Sequence, residues 1–361
     1  MTTSTHRTGA KMATALTDGL LWLAAGLNWL VLISLAAVLA SLSDARAETL
    51  PSACGGRDLV AEIKQDDPAA FAALKSEADA AENGKGIFWR IEKAGTAPSY
   101  LLGTMHVTDP RVLAMPDGAR AAFDGASTVV VESDEIADEK KAGAALLSRP
   151  DLTMFTDGRS ITGLLSDADE RTLADGLQRR GLSLPALNRM KPWMLMSFVA
   201  LPACELARKS AGAAFLDQKL ARDALAAGKT LKGLETLIEQ ITALDSLPIE
   251  PQLQGLVQTV QLGDRIEDVI ETMSRLYLAG DTGMIMPMMK IAAPATAGDE
   301  VSYAEFEQRI IIDRNHRMAE RAGPILAGGN AFVAVGALHL PGREGVVELL
   351  RQQGFTVTAV D

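Results

Sequence analysis

Leu101-Leu102-Gly103-Thr104-Met105-His106 is an apolar run that ends in Gly-x-x-His. The phrase returns near the other end of the chain as Ala334-Val335-Gly336-Ala337-Leu338-His339. A strand that stops at glycine and then presents histidine delivers an imidazole to the carboxyl edge of a sheet, where open α/β sheets place their chemistry. The chain has four histidines and two of them share this context. Two imidazoles delivered to one edge can bind one metal ion or share a proton-transfer task. The repeated phrase also reads as the trace of a duplicated half-sheet.

Working outward, Ile87 to Glu92 alternates like a strand. Ala94-Gly95-Thr96 turns, and Ser99 to Leu102 is the next strand, so a hairpin feeds the first histidine. Thr128-Val129-Val130-Val131-Glu132 is a short apolar run that stops at an acid, as strands buried on both faces do. Thr230 to Glu235 repeats that form, and Phe332 to Leu338 is the last buried strand before His339. Four buried strands thus end in His106, Glu132, Glu235 and His339, which a mostly parallel sheet collects on one edge. Thr356 to Val360 closes the sheet.

The rest reads as helix: one or two helices in Asp58 to Ala81, then Ala119 to Phe123, and a run toward Arg180 capped by Ser166 or Asp167. Further helices span Lys191 to Leu206, Phe215 to Ala227, Thr236 to Leu244, Leu253 to Ala279, Tyr303 to Ala327 and Glu344 to Gln353. The expected fold is α/β: a central mostly parallel or mixed sheet, paired Gly-x-x-His phrases at strand ends, and a large helical insertion over about 137–228.

The 361 residues carry 48% hydrophobic and 22% charged side chains, enough to bury a real core. A net charge of −11, with no long Lys/Arg cluster, argues against nucleic acid as a partner. The apolar run 19–42 follows a polar start and precedes Ala45-Arg46-Ala47, a small-x-small cleavage pattern. Residues 1–47 therefore read as a signal peptide or membrane anchor. The run is longer than the usual signal core, which keeps membrane association open. The domain then spans 48–361, in the periplasm or cell envelope. Export would permit Cys54 and Cys204 to pair, although sequence equally allows two buried thiols.

Each candidate has a plainer reading. A histidine after a strand is often held in a turn, and Glu132 or Glu235 could be a solvated strand end. His316, in Asp313-Arg314-Asn315-His316-Arg317, reads as a solvated helix residue. Met284 to Met289 reads as core filler more readily than as a groove lining. There is no Gly-x-Ser-x-Gly elbow, His-Glu-x-x-His helix or phosphate loop, so any chemistry falls to histidine and carboxylate.

The chain resembles the TraB/GumN family, whose animal relatives are the Tiki proteins. The resemblance runs from about Trp89 to the C-terminus. It is carried by Tyr100 to His106 with Thr108-Asp109, Val131-Glu132, Lys191-Pro192-Trp193 and Leu216-Asp217. It continues through Gly228-Lys229, Gly233-Leu234-Glu235-Thr236 with Gln240, Arg314-Asn315 and Val335 to Gly342. The resemblance implies a metal-dependent protease. His106, His339 and Glu132 would be at its metal site, with Glu235, Arg314 and Asn315 as further contributors. The expected cofactor is a divalent ion, with Mn, Co or Zn plausible, and the expected partner is a peptide or protein substrate. In this scheme Glu132 or Glu235 is ligand or general base, and Arg314 steadies a developing oxyanion. Two other readings stay open: a metal-free, His-dependent esterase, and a non-enzymatic envelope protein that binds metal, haem or peptide.

Overall fold

Six strands form one sheet in the order β4-β3-β5-β2-β1-β6. They are β1 (Phe88–Glu92), β2 (Ser99–Thr104), β3 (Thr128–Val131), β4 (Thr230–Gly233), β5 (Ala331–Gly336) and β6 (Thr356–Ala359). The structure is a computed structural model that describes residues 54–292 and 299–360. The leader 1–47, with its apolar run 19–42, lies outside the described residues. Among the described residues no helix is long and apolar enough to cross a membrane.

The pairs β4/β3, β3/β5 and β5/β2 are parallel, and β1 runs antiparallel to both β2 and β6. The sheet is therefore mixed, with β1 as its reversed strand. The hairpin explains this: β1 and β2 are joined by a tight turn, whereas β2, β3, β4 and β5 are joined through helices, as parallel neighbours require.

Helices cover both faces. Within β5, Val333 and Val335 face one side and Phe332 and Ala334 the other, the period of an extended strand. The first face packs with Trp89, Ile91 and Leu101 against Met318 and Ala322 of the helix Asp313–Leu326 and Val347 and Leu350 of the helix Val346–Gln352. The second packs with Leu102, Val129 and Val131 against Phe123 of the helix Asp117–Gly125 and Leu220 and Ala224 of the helix Leu216–Ala226. β4 departs from expectation. Its residues alternate between exposed and half-buried, because it is an edge strand with one neighbour.

Two expected long helices are each broken in two. Lys191 to Leu206 becomes Pro192–Val199 and Ala203–Ser210, separated at Pro202, which lacks the N–H a continuing helix needs. Leu253 to Ala279 becomes part of Ile249–Leu262 and Arg265–Leu278, separated at Gly263, whose φ is +54°. The helical body is also wider than 137–228. Its core joins Phe155, Leu173, Leu177 and Leu195 to Leu253, Leu256 and Val260 from the connection after β4. A π-helical stretch, Glu307–Ile312, runs directly into Asp313–Leu326.

Cys54 and Cys204 form a disulfide with Cα atoms 5.7 Å apart. It ties the start of the described chain to the helix Ala203–Ser210. That helix also supports the loop after β2: Glu205 accepts hydrogen bonds from the Thr108 N–H (2.9 Å) and hydroxyl (2.7 Å).

Candidate functional site

Parallel pairing of β2 with β5 sets Thr104 beside Gly336, so both Gly-x-x-His phrases leave the sheet side by side. β5 also pairs with β3, so Glu132, the residue after β3, reaches the same edge from the other flank. Gly103 permits the close approach. A Cβ there would lie 2.6 Å from Leu340 Cδ1 and 3.1 Å from Ala337 Cα. Gly336 leaves the space in which the site forms. A Cβ there would lie 3.2 Å from Glu132 Oε1, 3.4 Å from His339 Cδ2 and 3.9 Å from His106 Nε2.

The buried Glu132 carboxylate is heavily hydrogen-bonded. Its Oε1 accepts from the Gly336 N–H (2.7 Å), and its Oε2 accepts from Gln240 Nε2 (2.9 Å) and Arg314 Nη2 (2.6 Å). Burial, the largest single influence, pushes its pKa up. The positive neighbours His339, Arg314 and His106, with the Gly336 N–H, outweigh it and hold the group at about 2.

His339 is buried at the end of a single 3₁₀ turn, Ala337–His339. Its Nδ1 lies 2.6 Å from Asn315 Oδ1. Asn315 Nδ2 donates to the Glu344 carbonyl (2.7 Å), which turns its Oδ1 toward the imidazole. Nδ1 is then the protonated nitrogen, and Nε2 keeps its lone pair, 3.7 Å from Glu132 Oε1. Burial first, then the charges of Arg314 and His106, push the His339 pKa down to about 4 despite the opposing pull of Glu132. The ring is neutral near pH 7.

His106 is held similarly and more openly, its side chain 55% exposed. Nδ1 faces Asp217 Oδ2 at 3.3 Å, and its ring meets Phe215 edge-on at 5.2 Å. Desolvation is the largest influence on its pKa and acts downward. The Asp217 carboxylate, helped by Glu132, reverses the balance and raises the value to about 9. Asp217 is itself buried. Its Oδ1 accepts from the Thr104 hydroxyl (2.7 Å), while Oδ2 has no hydrogen-bond partner of acceptable geometry among the described residues.

Glu235 and Arg314 are placed as supports. Glu235 Oε2 accepts from Arg314 Nε (2.9 Å) and Nη2 (2.8 Å), and its Oε1 accepts from Arg317 Nη1 (2.7 Å). Both oxygens are thus engaged by guanidinium groups, away from the role of a free base. Arg314 bridges Glu132 and Glu235 through Nε and Nη2, while its Nη1 lies 3.5 Å from the Ile310 carbonyl. His316 is exposed and pairs with Glu344, as its charged surroundings suggest.

The structure therefore brings His106, Glu132 and His339 together, with Asn315 behind His339. It adds Asp217: His106, Glu132 and Asp217 each bring one potential ligand atom to within 4.8 Å of one another. In the sequence Asp217 stands out only through the family resemblance. Its signal was an acid on the apolar stripe of a helix, since Leu216, Asp217, Leu220, Ala221 and Ala224 are all buried. Gln240 and Arg317 complete the hydrogen bonding of Glu132 and Glu235, and neither carries a comparable signal in the sequence.

An α/β sheet covered on both faces, with a histidine–carboxylate cluster at its carboxyl edge, is the class of protein this fold and site define. The chain belongs to the TraB/PrgY/gumN family, whose family model matches residues 87–359. It is 26% identical over 311 residues to Metalloprotease TIKI2 of Danio rerio, covering 72% of this chain and 58% of that protein. It is 24% identical to the Metalloprotease TIKI homolog of Nematostella vectensis, covering 77% and 68%. An uncharacterized protein of Treponema pallidum is 24% identical, covering 74% and 80%. The chain thus spans about six-tenths of the length of the first of these relatives. No solved structure matches it.

Proposed function

We propose that this chain is an exported, metal-dependent hydrolase that cleaves peptide bonds at the edge formed by β2, β3 and β5. The observation that carries this reading is the convergence of His106, Glu132 and Asp217 on a space that His339 Nε2 also faces. The donor set suits a divalent ion. Imidazole and carboxylate together fit Mn, Co or Zn, and the buried Asp217 Oδ2, which faces His106 Nδ1 at 3.3 Å without a well-aligned hydrogen bond, is an acceptor that a cation would satisfy. His106, His339 and Glu132 would hold the ion. Asp217 would either join them or fix the His106 ring through Nδ1, as Asn315 fixes His339.

A bound divalent ion supplies Lewis-acid polarisation of a scissile carbonyl and activation of water. The chain's own groups do the rest. Asn315 holds His339 in the tautomer whose Nε2 can accept a proton or ligate. Arg314, Gln240 and the Gly336 N–H keep Glu132 ionised and oriented, which fits a ligand better than a general base, whose pKa should lie near the working pH. Exposure of His106 leaves the site open for an extended substrate. The names of the relatives support a peptide as substrate. The leader and the Cys54–Cys204 disulfide support export.

The test is elemental analysis of the purified chain, then chelation and metal replacement with a peptide library as substrate. His106→Ala and His339→Ala are each expected to abolish metal-stimulated cleavage while circular dichroism stays unchanged. Full activity after chelation, or in the double variant, would overturn the reading. The neutral His339 ring could also serve as a base without metal, and chelator-resistant cleavage of esters is the result that would favour that alternative.

A further inference from the structure

Lys209 lies on the helix Ala203–Ser210, half-buried, on the His106 side of the site. Its ammonium stands 5.7 Å from the centre of the Phe215 ring, and that ring meets His106 edge-on at 5.2 Å. Lys209 is close enough that its charge lowers the His106 pKa. Its surroundings do not offer the partner a cation there would be expected to have. Among the described residues, no hydrogen bond or ion pair engages the Lys209 ammonium, and the Phe215 ring is its one favourable contact.

The neighbouring cations differ. Arg208, one residue earlier, binds Glu205, Thr108 and Cys54. Arg314 and Arg317 are committed to Glu132 and Glu235. Desolvation lowers the Lys209 pKa, and the Glu205 charge opposes this. A partly desolvated ammonium whose close contact is a ring face and not an anion loses more hydration than it regains. An arriving carboxylate would restore that loss through a charge-assisted hydrogen bond.

We propose that Lys209 is the substrate-carboxylate anchor of the site, giving preference to peptides that carry a carboxylate beside the bond to be cleaved. The inference rests on the reading of His106 as part of a peptide-cleaving centre. The net charge of −11 makes the point sharper, because acidic peptides are otherwise repelled by this protein. Two sources supply the same chemistry: the free C-terminus of a peptide and an internal Asp or Glu side chain.

The experiment uses the full chain, metal-loaded, with two matched peptide pairs: free C-terminus against C-terminal amide, and internal Glu against Gln. Wild type, Lys209→Met and Lys209→Arg are compared for kcat and KM. Binding of the same labelled peptides to the metal-free protein is read by fluorescence anisotropy. Wild type should favour the carboxylate member of one pair by about tenfold or more, through KM. Lys209→Met should erase the preference, so that the two members of a pair are handled alike, and Lys209→Arg should keep part of it. The pair that responds identifies the source of the carboxylate. Absence of any preference in wild type overturns the proposal, as does a preference that survives Lys209→Met. Equal losses on both members of a pair would also overturn it, since they would mean that Lys209 merely packs Phe215. If no peptide is cleaved yet binding still discriminates through Lys209, the anchor stands and the hydrolase reading falls.

Discussion

Asn315 Oδ1 lies 2.6 Å from His339 Nδ1, and this contact decides which imidazole nitrogen faces the site. Replacing Asn315 with Leu removes the acceptor and frees the ring to take either tautomer. The expected result is a fall of about 10–100-fold in metal affinity and in cleavage rate, the usual effect of removing a group that orients a ligand. Competition titration against a chromophoric chelator checks the affinity. An unchanged affinity would mean that His339 does not ligate.

Arg314 bridges two buried carboxylates, and its loss should be felt in stability before catalysis. Arg314→Met is expected to cost about 3–5 kcal/mol, the range for breaking a buried pair and leaving charge behind. Most of that cost should come from Glu132, because Arg317 still pairs with Glu235. Urea unfolding of the single variant and of Arg314→Met with Glu132→Gln checks this. The double variant should recover part of the loss.

Gly336 separates space from conformation. Its φ of −51° and ψ of 136° are open to any residue, so alanine introduces no backbone strain. The added methyl instead enters the gap between Glu132 and His339. Gly336→Ala should lose about 1–3 kcal/mol at most, while metal affinity falls about tenfold or more, since ligand placement tolerates only about 0.5 Å. A thermal melt set beside a metal titration distinguishes the two effects.

The metal-free protein should show a stability optimum near neutral pH with two assignable limbs. His339 is lowered from 6.5 to about 4 and Glu132 from 4.5 to about 2. In both cases the unfolded chain takes up the proton first. Stability therefore falls as pH drops from about 6.5 toward 4, and again from 4.5 toward 2. His106 is raised from 6.5 to about 9, so its contribution is complete below 6.5 and is lost as pH rises to 9. Urea midpoints measured in chelator across this range give the test. His339→Gln should flatten the part of the acid limb between about 6.5 and 4, and His106→Gln the alkaline limb.

The strands and their ends were readable because each is a short apolar run closed by a titratable residue, and a parallel sheet has one place to put such ends. The breaks at Pro202 and Gly263 were legible as residues but were overruled by the helical spacing around them. β4 misled because Thr230 to Glu235 resembles the run at Thr128, and whether a strand sits inside a sheet or at its edge is settled by neighbours, not by its own residues. Asp217 was hidden for a related reason. An acid on a helix shows its chemistry only when the helix is docked beside Thr104 and His106. Glu235 had the form of a free acid, and only packing brought it the two guanidinium groups that occupy it.

β5 lies between β2 and β3, so the strand that separates the two flanks of the cleft also joins them, and the chain makes it after both. Until Ala331 to Gly336 has been synthesised, His106 and Glu132 belong to strands with no common neighbour. A polypeptide cut short before β5 thus holds His106 and Glu132 but has no strand to set them side by side.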